Sequence, residues 1–158
     1  MKRWFLIAVL AIVANASWAQ STGLSLSGAT HDRSLPVDIQ AESLSVNQDT
    51  QNAVFSGNAI VTQGALTLSA DEIIVSYSAD GSEIEKVDAI GNVKFSNSTE
   101  TAEAQNANYE VASGDLTMNG SVVLIQGPSQ ISGDRLEMNI LTNIAQMSGK
   151  VRTRLVPR

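Results

Sequence analysis

The stretch "FSGNAIVTQG", Phe55 to Gly64, returns sixty-three residues later as "MNGSVVLIQG", Met118 to Gly127. Each has an apolar residue, a Gly two places on, a branched apolar run and a closing Gln-Gly. Aligned on that first Gly, the chain offers Gly57, Gly91, Gly120 and Gly149, spaced 34, 29 and 29 residues apart. A second mark, a small residue before a polar one, falls at Ala41-Glu42, Ala70-Asp71, Ala104-Gln105 and Gly133-Asp134. Each Gly precedes the next small residue by 13, and each small residue precedes its Gly by 16, 21, 16 and 16. The one exception carries "SADGSEIEK" (Ser78 to Lys86), whose Asp80-Gly81 is a hairpin-turn signal. The unit is therefore about 29 residues, used four times, with one insertion in a turn; fixed-period self-similarity predicts a repeat architecture.

Inside the unit the apolar period is two. Leu66, Leu68 and Ala70 alternate, and so do Ile73, Val75 and Tyr77, Val87 through Phe95, Leu116 through Leu124, and Leu136 through Ile140. This is strand patterning with one apolar face. The parity slips by one between Ala70 and Ile73, and at the matching place in every unit. A slip reverses the face unless the strand bulges or bends, so each unit is expected to turn a corner and keep its apolar side inward. Gly57, Gly91, Gly120 and Gly149 are expected at those bends, on the inward parity, where a side chain would enter the interior or strain the backbone. Gln63-Gly64 and Gln126-Gly127 read as turns that end strands. The fold class predicted is all-β: an elongated open body of stacked antiparallel repeats.

The inward parity selects fourteen interior candidates: Leu44, Phe55, Leu68, Ile73, Val75, Tyr77, Val93, Phe95, Tyr109, Leu116, Met118, Leu124, Leu136 and Met138. With aromatics at 4%, such an interior is built mainly from aliphatic side chains.

Lys2 and Arg3 precede the apolar run Trp4 to Ala16, and Ser17-Trp18-Ala19 puts small residues where a signal peptidase reads them. Residues 1–19 are expected to be a cleaved signal peptide, 20–36 a flexible lead-in, and 37–156 the repeat domain. The formal net charge is −6 for the chain and −8 once Lys2 and Arg3 are removed, which argues against a nucleic-acid partner. There is no Cys, so an exported chain of this kind must be stable without disulfides.

Catalytic patterns are missing. His31, the one His, lies in the polar "SGATHDRSLP". There is no G-x-S-x-G or phosphate-cradling glycine motif, and the Gly-Gly-x-Gly-x-Asp of calcium-binding solenoids does not occur. Glu83, Glu85 and Asp88 read as a solvated strand face. No catalytic residue, cofactor or metal is expected. Lys150, Arg152, Arg154 and Arg158 place half of the mature chain's positive charge at its last strand. Charge there either guards an open sheet edge or docks a partner.

The units "ADEIIVSY…AIGNVKF" (Ala70 to Phe95) and "AESLSVNQDTQNAVFSGNAIVTQG" (Ala41 to Gly64) resemble the OstA-like repeat of periplasmic lipopolysaccharide-transport proteins. The resemblance covers about Val37 to Val156, with Gly120-Ser121, Gly149-Lys150 and Gly133 departing from the pattern. It implies a β-jellyroll open at both ends, with a hydrophobic groove that binds lipopolysaccharide and is lined by the fourteen candidates. It also implies head-to-tail assembly, periplasmic localisation and a bridge between the membranes. LptC is the expected partner at the N-terminal edge, near Val37 to Val46, and LptD or another copy at the C-terminal edge, near Ala145 to Val156. A structural or adhesive β-solenoid without lipid cargo is the alternative.

Overall fold

Six long strands follow from the period-two pattern. In the computed structural model, which describes residues 24–25 and 35–156, eleven strands form one sheet. They are β1 (Leu24–Ser25), β2 (Asp38–Gln40), β3 (Ser43–Asn47), β4 (Asn52–Gln63), β5 (Leu66–Tyr77), β6 (Ile84–Ser96), β7 (Glu100–Glu110), β8 (Asp115–Gln126), β9 (Ser129–Asn139), β10 (Ile144–Ser148) and β11 (Arg152–Arg154). The expected signal peptide and His31 lie outside the described residues. So does most of the expected lead-in, but two of its residues form β1.

The sheet is an antiparallel meander. Its order is β1-β10-β9-β8-β7-β6-β5-β4-β2, with β3 also paired to β4 and β11 to β9. Two-residue hairpins close at Gly64-Ala65 and Gly127-Pro128, as the Gln-Gly signals indicate. In each, a glycine with φ of 59° or 55° holds the first loop position, the pattern of a type II′ turn.

Each long strand bends once. The register shifts between Ser56 and Ala59, Ser69 and Glu72, Ile90 and Val93, Glu103 and Asn106, and Asn119 and Val122. At both ends of the sheet the bend separates two short strands, β2 from β3 and β10 from β11. The bends divide the sheet into two limbs, which close on one core. The first limb holds the residues before each repeat glycine and the strands paired with them; the second holds those after.

The corner explains the repeated phrase. Gly57, Gly91, Gly120 and Gly149 have φ between 74° and 87°, and the residue after each is also left-handed: Asn58 at 46°, Asn92 at 47°, Ser121 at 50° and Lys150 at 47°. Two successive left-handed residues reverse the strand's twist at one point, and Gly followed by Asn is the least strained way to supply them. The interior reading of these glycines is corrected in one respect. A Cβ at Gly57 would lie 2.7 Å from Glu42 Cβ, and one at Gly149 would lie 2.6 Å from Asp134 Cβ. Both acidic residues are exposed, so the added atom would meet the outer side of the corner and not the interior. The same acidic residues tie the corner together. Glu42 N donates to Gly57 O at 3.1 Å, Asp134 N donates to Gly149 O at 2.8 Å, and Asn92 Nδ2 donates to Asp71 Oδ2 at 2.8 Å.

Candidate functional site

Register turns alternation along the strands into rows across them. In the first limb one row runs Leu44, Phe55, Ile73, Ala89, Ala107, Met118, Leu136, Met147, each opposite the next. A parallel row runs Val46, Ala53, Val75, Val87, Tyr109, Leu116, Met138, Ala145 and ends opposite Leu24. In the second limb Ile39, Val61, Leu68, Phe95, Ala102, Leu124 and Ile131 form another. Every member is hydrophobic. The two first-limb rows cross the sheet from one edge to the other, at right angles to the chain, and the second-limb row ends at Ile131, opposite Thr153 on β11.

Next to the corner the limbs touch. Val151, two places beyond Gly149, is 47% exposed, but two places beyond Gly57, Gly91 and Gly120 stand Ala59, Val93 and Val122, exposed by at most 1%. Opposite them are Ala70, Ala104 and Gly133, small enough for a tight angle. Four or more places from the glycine the limbs part, and a cleft of about 380 Å³ opens between them. The first limb contributes Ile84, Val87, Tyr109, Val111, Leu116 and Ile140. The second contributes Val61, Leu66, Leu68 and Phe95, with Val37 at the edge. Gln63, Thr67 and Glu83 are the polar groups of the rim. Gln63 Nε2 donates to Leu35 O at 2.9 Å, which ties the segment before β2 over the second limb's hairpin.

Of the fourteen candidates, Leu68, Phe95, Tyr109 and Leu116 line this cleft. Ile73, Val75, Val93, Met118, Leu124 and Leu136 are exposed by at most 2% and form closed core, and Met138 is buried beside them. These seven belong to the buried core cluster and are not among the residues that line the cleft. Phe55 and Tyr77 are half-buried against that core. Leu44 shares the inward row with Phe55 yet is 58% exposed, because it stands on an end strand that no other strand among the described residues covers. Toward β8 and β9 the second limb is buried, with Leu124 at 2% and Ile131 at 6% exposure.

Val61, Leu66, Ile84, Val87, Val111, Ile140 and Val37 are cleft residues that the candidate set misses. Leu66 and Val87 were on the right parity, and distance from the corner was the signal that could have promoted them.

The outer faces carry polar and charged pairs beside the exposed Ile60, Ile90 and Ile125. Lys94 pairs with Glu103 at 3.4 Å and Lys86 with Asp88 at 3.1 Å, while Asn108 Nδ2 donates to Asp88 Oδ1 at 2.6 Å. At the β5–β6 turn, the Ser78 hydroxyl first, then the Ser82 hydroxyl and Ser82 N–H, donate to Asp80 and hold its carboxyl down to about 2 from 3.8. Hydrogen bonds from Ser113 and then Asn139 lower Asp115 likewise. Among the described residues no group of three metal-ligating side chains gathers. The site is an apolar trough with a thin polar rim, suited to holding hydrocarbon.

Residues 38–144 match the profile of the LptA/(LptD N-terminal domain) LPS transport protein family. The chain belongs to that family. Its relatives include the lipopolysaccharide export system protein LptA of Escherichia coli (strain K12), 25% identical over 138 residues that make up 81% of this chain and 75% of that one. An uncharacterised protein of Rhizobium meliloti (strain 1021) is 26% identical over 158 residues, 93% of this chain and 85% of its own. The crystal structure of LptH, the LptA-homologous periplasmic component of the lipopolysaccharide transport device of Pseudomonas aeruginosa, superposes with a TM-score of 0.73 at 17% identity. The match covers 80% of this chain and 99% of LptH, and what it establishes is the fold. Like its LptA relatives, this is a lipopolysaccharide-transport family member, built as an open antiparallel sheet.

Proposed function

We propose that this chain is a periplasmic carrier that binds lipopolysaccharide by its acyl chains and forms part of a bridge from inner to outer membrane. The observation that carries the reading is the set of uninterrupted apolar rows, running across the strands and opening into the cleft. Each methylene kept from water is worth about 0.8 kcal/mol, so one acyl chain of about a dozen carbons costs on the order of 10 kcal/mol to expose. Apolar rows with no break let the chain advance without meeting that cost at any step. The walls are mainly aliphatic and similar from strand to strand, so no position holds the lipid much more tightly than its neighbour. Where the limbs are closed, toward β8 and β9, passage needs them to part.

The ends supply the bridge. LptC docks on the N-terminal edge formed by β2 and β3, and LptD or another copy on the C-terminal edge formed by β10 and β11. Strand addition gives the pairing its main-chain hydrogen bonds. Leu44 and Val46 at one end and Val151 at the other are exposed by 47–63%, as residues waiting for a continued sheet are. Residues 1–19 export the chain and are removed.

The test is photo-crosslinking in living cells. A photoreactive residue at Leu68 or Phe95 captures lipopolysaccharide, and one at Lys94, on the outer face, does not. Equal capture from both faces sinks the reading. Depletion of the protein stalls lipopolysaccharide at the inner membrane.

A further inference from the structure

The outer edge of β10 is already occupied. Leu24 stands opposite Ala145 and Ser25 opposite Ile144, in an antiparallel ladder. This edge is the one that end-to-end assembly assigns to a downstream partner. The strand that fills it comes from the other end of the sequence.

The register places the two residues of β1 at the ends of two rows. The apolar row that begins at Val46 reaches Ala145 and continues at Leu24. The neighbouring row carries Asn52, Ser76, Lys86, Glu110, Asp115 and Asn139, passes through Ile144, and ends at Ser25.

The chain is long enough to reach. From β1 to β2 the sheet order has eight inter-strand steps, about 38 Å at 4.7–4.9 Å each. Ser25 and Asp38 are thirteen residues apart, a reach of up to about 43–47 Å. One copy can therefore hold both edges of its own sheet.

We propose that β1 is a built-in cap: the chain's own N-terminal strand fills the strand-accepting edge of β10 in cis, and a partner strand must displace it to dock. The proposal rests on the end-to-end assembly described above. A lone copy has an open edge, which is an aggregation hazard, and a strand from the same chain covers it. Two residues of ladder make a weak cap, so a longer strand from a partner outcompetes it. The apparent affinity of that partner falls by the fraction of time the edge is uncapped. An edge capped nine-tenths of the time gives a tenfold weaker assembly.

The chain has no Cys, so Ser25→Cys with Ile144→Cys supplies its only two thiols. Directly opposite residues on antiparallel strands lie within disulfide reach. Oxidation at low protein concentration is expected to link the two within one chain, read as a monomer of altered mobility. The oxidised chain should then sediment as a monomer where its reduced form assembles. In the wild-type background, Leu24→Pro releases the cap and should tighten self-association severalfold, with circular dichroism unchanged. No link, or a link between chains, overturns the cap. So does a locked chain that assembles like the reduced one, or a Leu24→Pro protein that assembles more weakly, which is the result if the strand is exchanged between copies. If the link forms in cis but neither locked, reduced nor Leu24→Pro chains self-associate, end-to-end self-assembly is itself wrong, and the cap's role falls with it.

Discussion

The corner and the mouth of this molecule are built from the same strands, with the same alternation, and they end up differently. Two places from Gly57, Gly91 or Gly120 stand Ala59, Val93, Met118 and Val122, none more than 1% exposed. Four to seven places away, Val61, Val87 and Ile84 are equally apolar yet line a cleft, with Leu66 and Leu68 across the sheet from Val61 and its neighbours. The difference is distance. A bend of two left-handed residues sets an angle, and side chains fill the space near its vertex but not farther out. Small residues sit at the vertex and larger ones along the limbs, which props the limbs apart. An apolar trough in a lipid carrier is thus a core that the strands are too widely splayed to close.

The sharpest way to break this comparison is to probe both regions for lipid. Photoreactive residues at Leu68 and Tyr109 should capture lipopolysaccharide, while one at Met118 captures at least tenfold less. Strong capture at Met118 would show that the corner opens during transport. Truncation reads the same contrast as stability. Met118→Ala leaves a void in closed core and should cost about 2–5 kcal/mol by denaturant unfolding. Leu68→Ala, at a half-buried cleft position, should cost about 1 kcal/mol and lower lipid capture instead. Equal losses would mean that the cleft is as tightly filled as the corner.

The vertex itself can be tested through Gly91. Its φ is 77°, and a side chain there would run into the Asp71 carboxylate. Gly91→Val should destabilise by about 2–3 kcal/mol, and Gly91→Ala by less. Adding Asp71→Gly to Gly91→Ala should recover only part of the loss, because it removes the clash and leaves the backbone strain. Full recovery would show that contact, and not φ, demands the glycine.

The smallest effect belongs to the rim. Asp80 anchors the turn that leads to Glu83 and Ile84, with its carboxyl lowered to about 2 from 3.8. A carboxyl lowered on folding favours the folded state above its unfolded value, and that contribution disappears as pH falls from about 4 through 2. Ser78→Ala should raise the Asp80 value toward 3.8 in a carbon-detected NMR titration. Resonances of the rim should shift over this range while those of Met118 and Leu136 stay fixed. Movement of the core resonances in step with Asp80 would couple the two regions.

Much of this was legible in the sequence because it is local and periodic. Alternation sets which side chains share a face, and the parity slip at Ala70 to Ile73 marks where the face must turn. The Gly-Asn pairs name the residues that turn it, and Gln-Gly the hairpins. Twelve of the fourteen interior candidates share the three rows, exposed Leu44 among them. The direction of the missing Cβ was not legible, since a left-handed residue points it away from the side that alternation predicts. Nor was β1, whose partner lies 121 residues downstream, at Leu24 opposite Ala145.

The sequence by itself determined an antiparallel repeat, its corners and its inward face, since strand period and turn chemistry act over a few residues. Only the tertiary structure decided which inward residues are core and which are cleft, and that the chain's own start covers its far edge. Those outcomes depend on the gap between two limbs and on the meeting of two sheet edges, which no local pattern encodes.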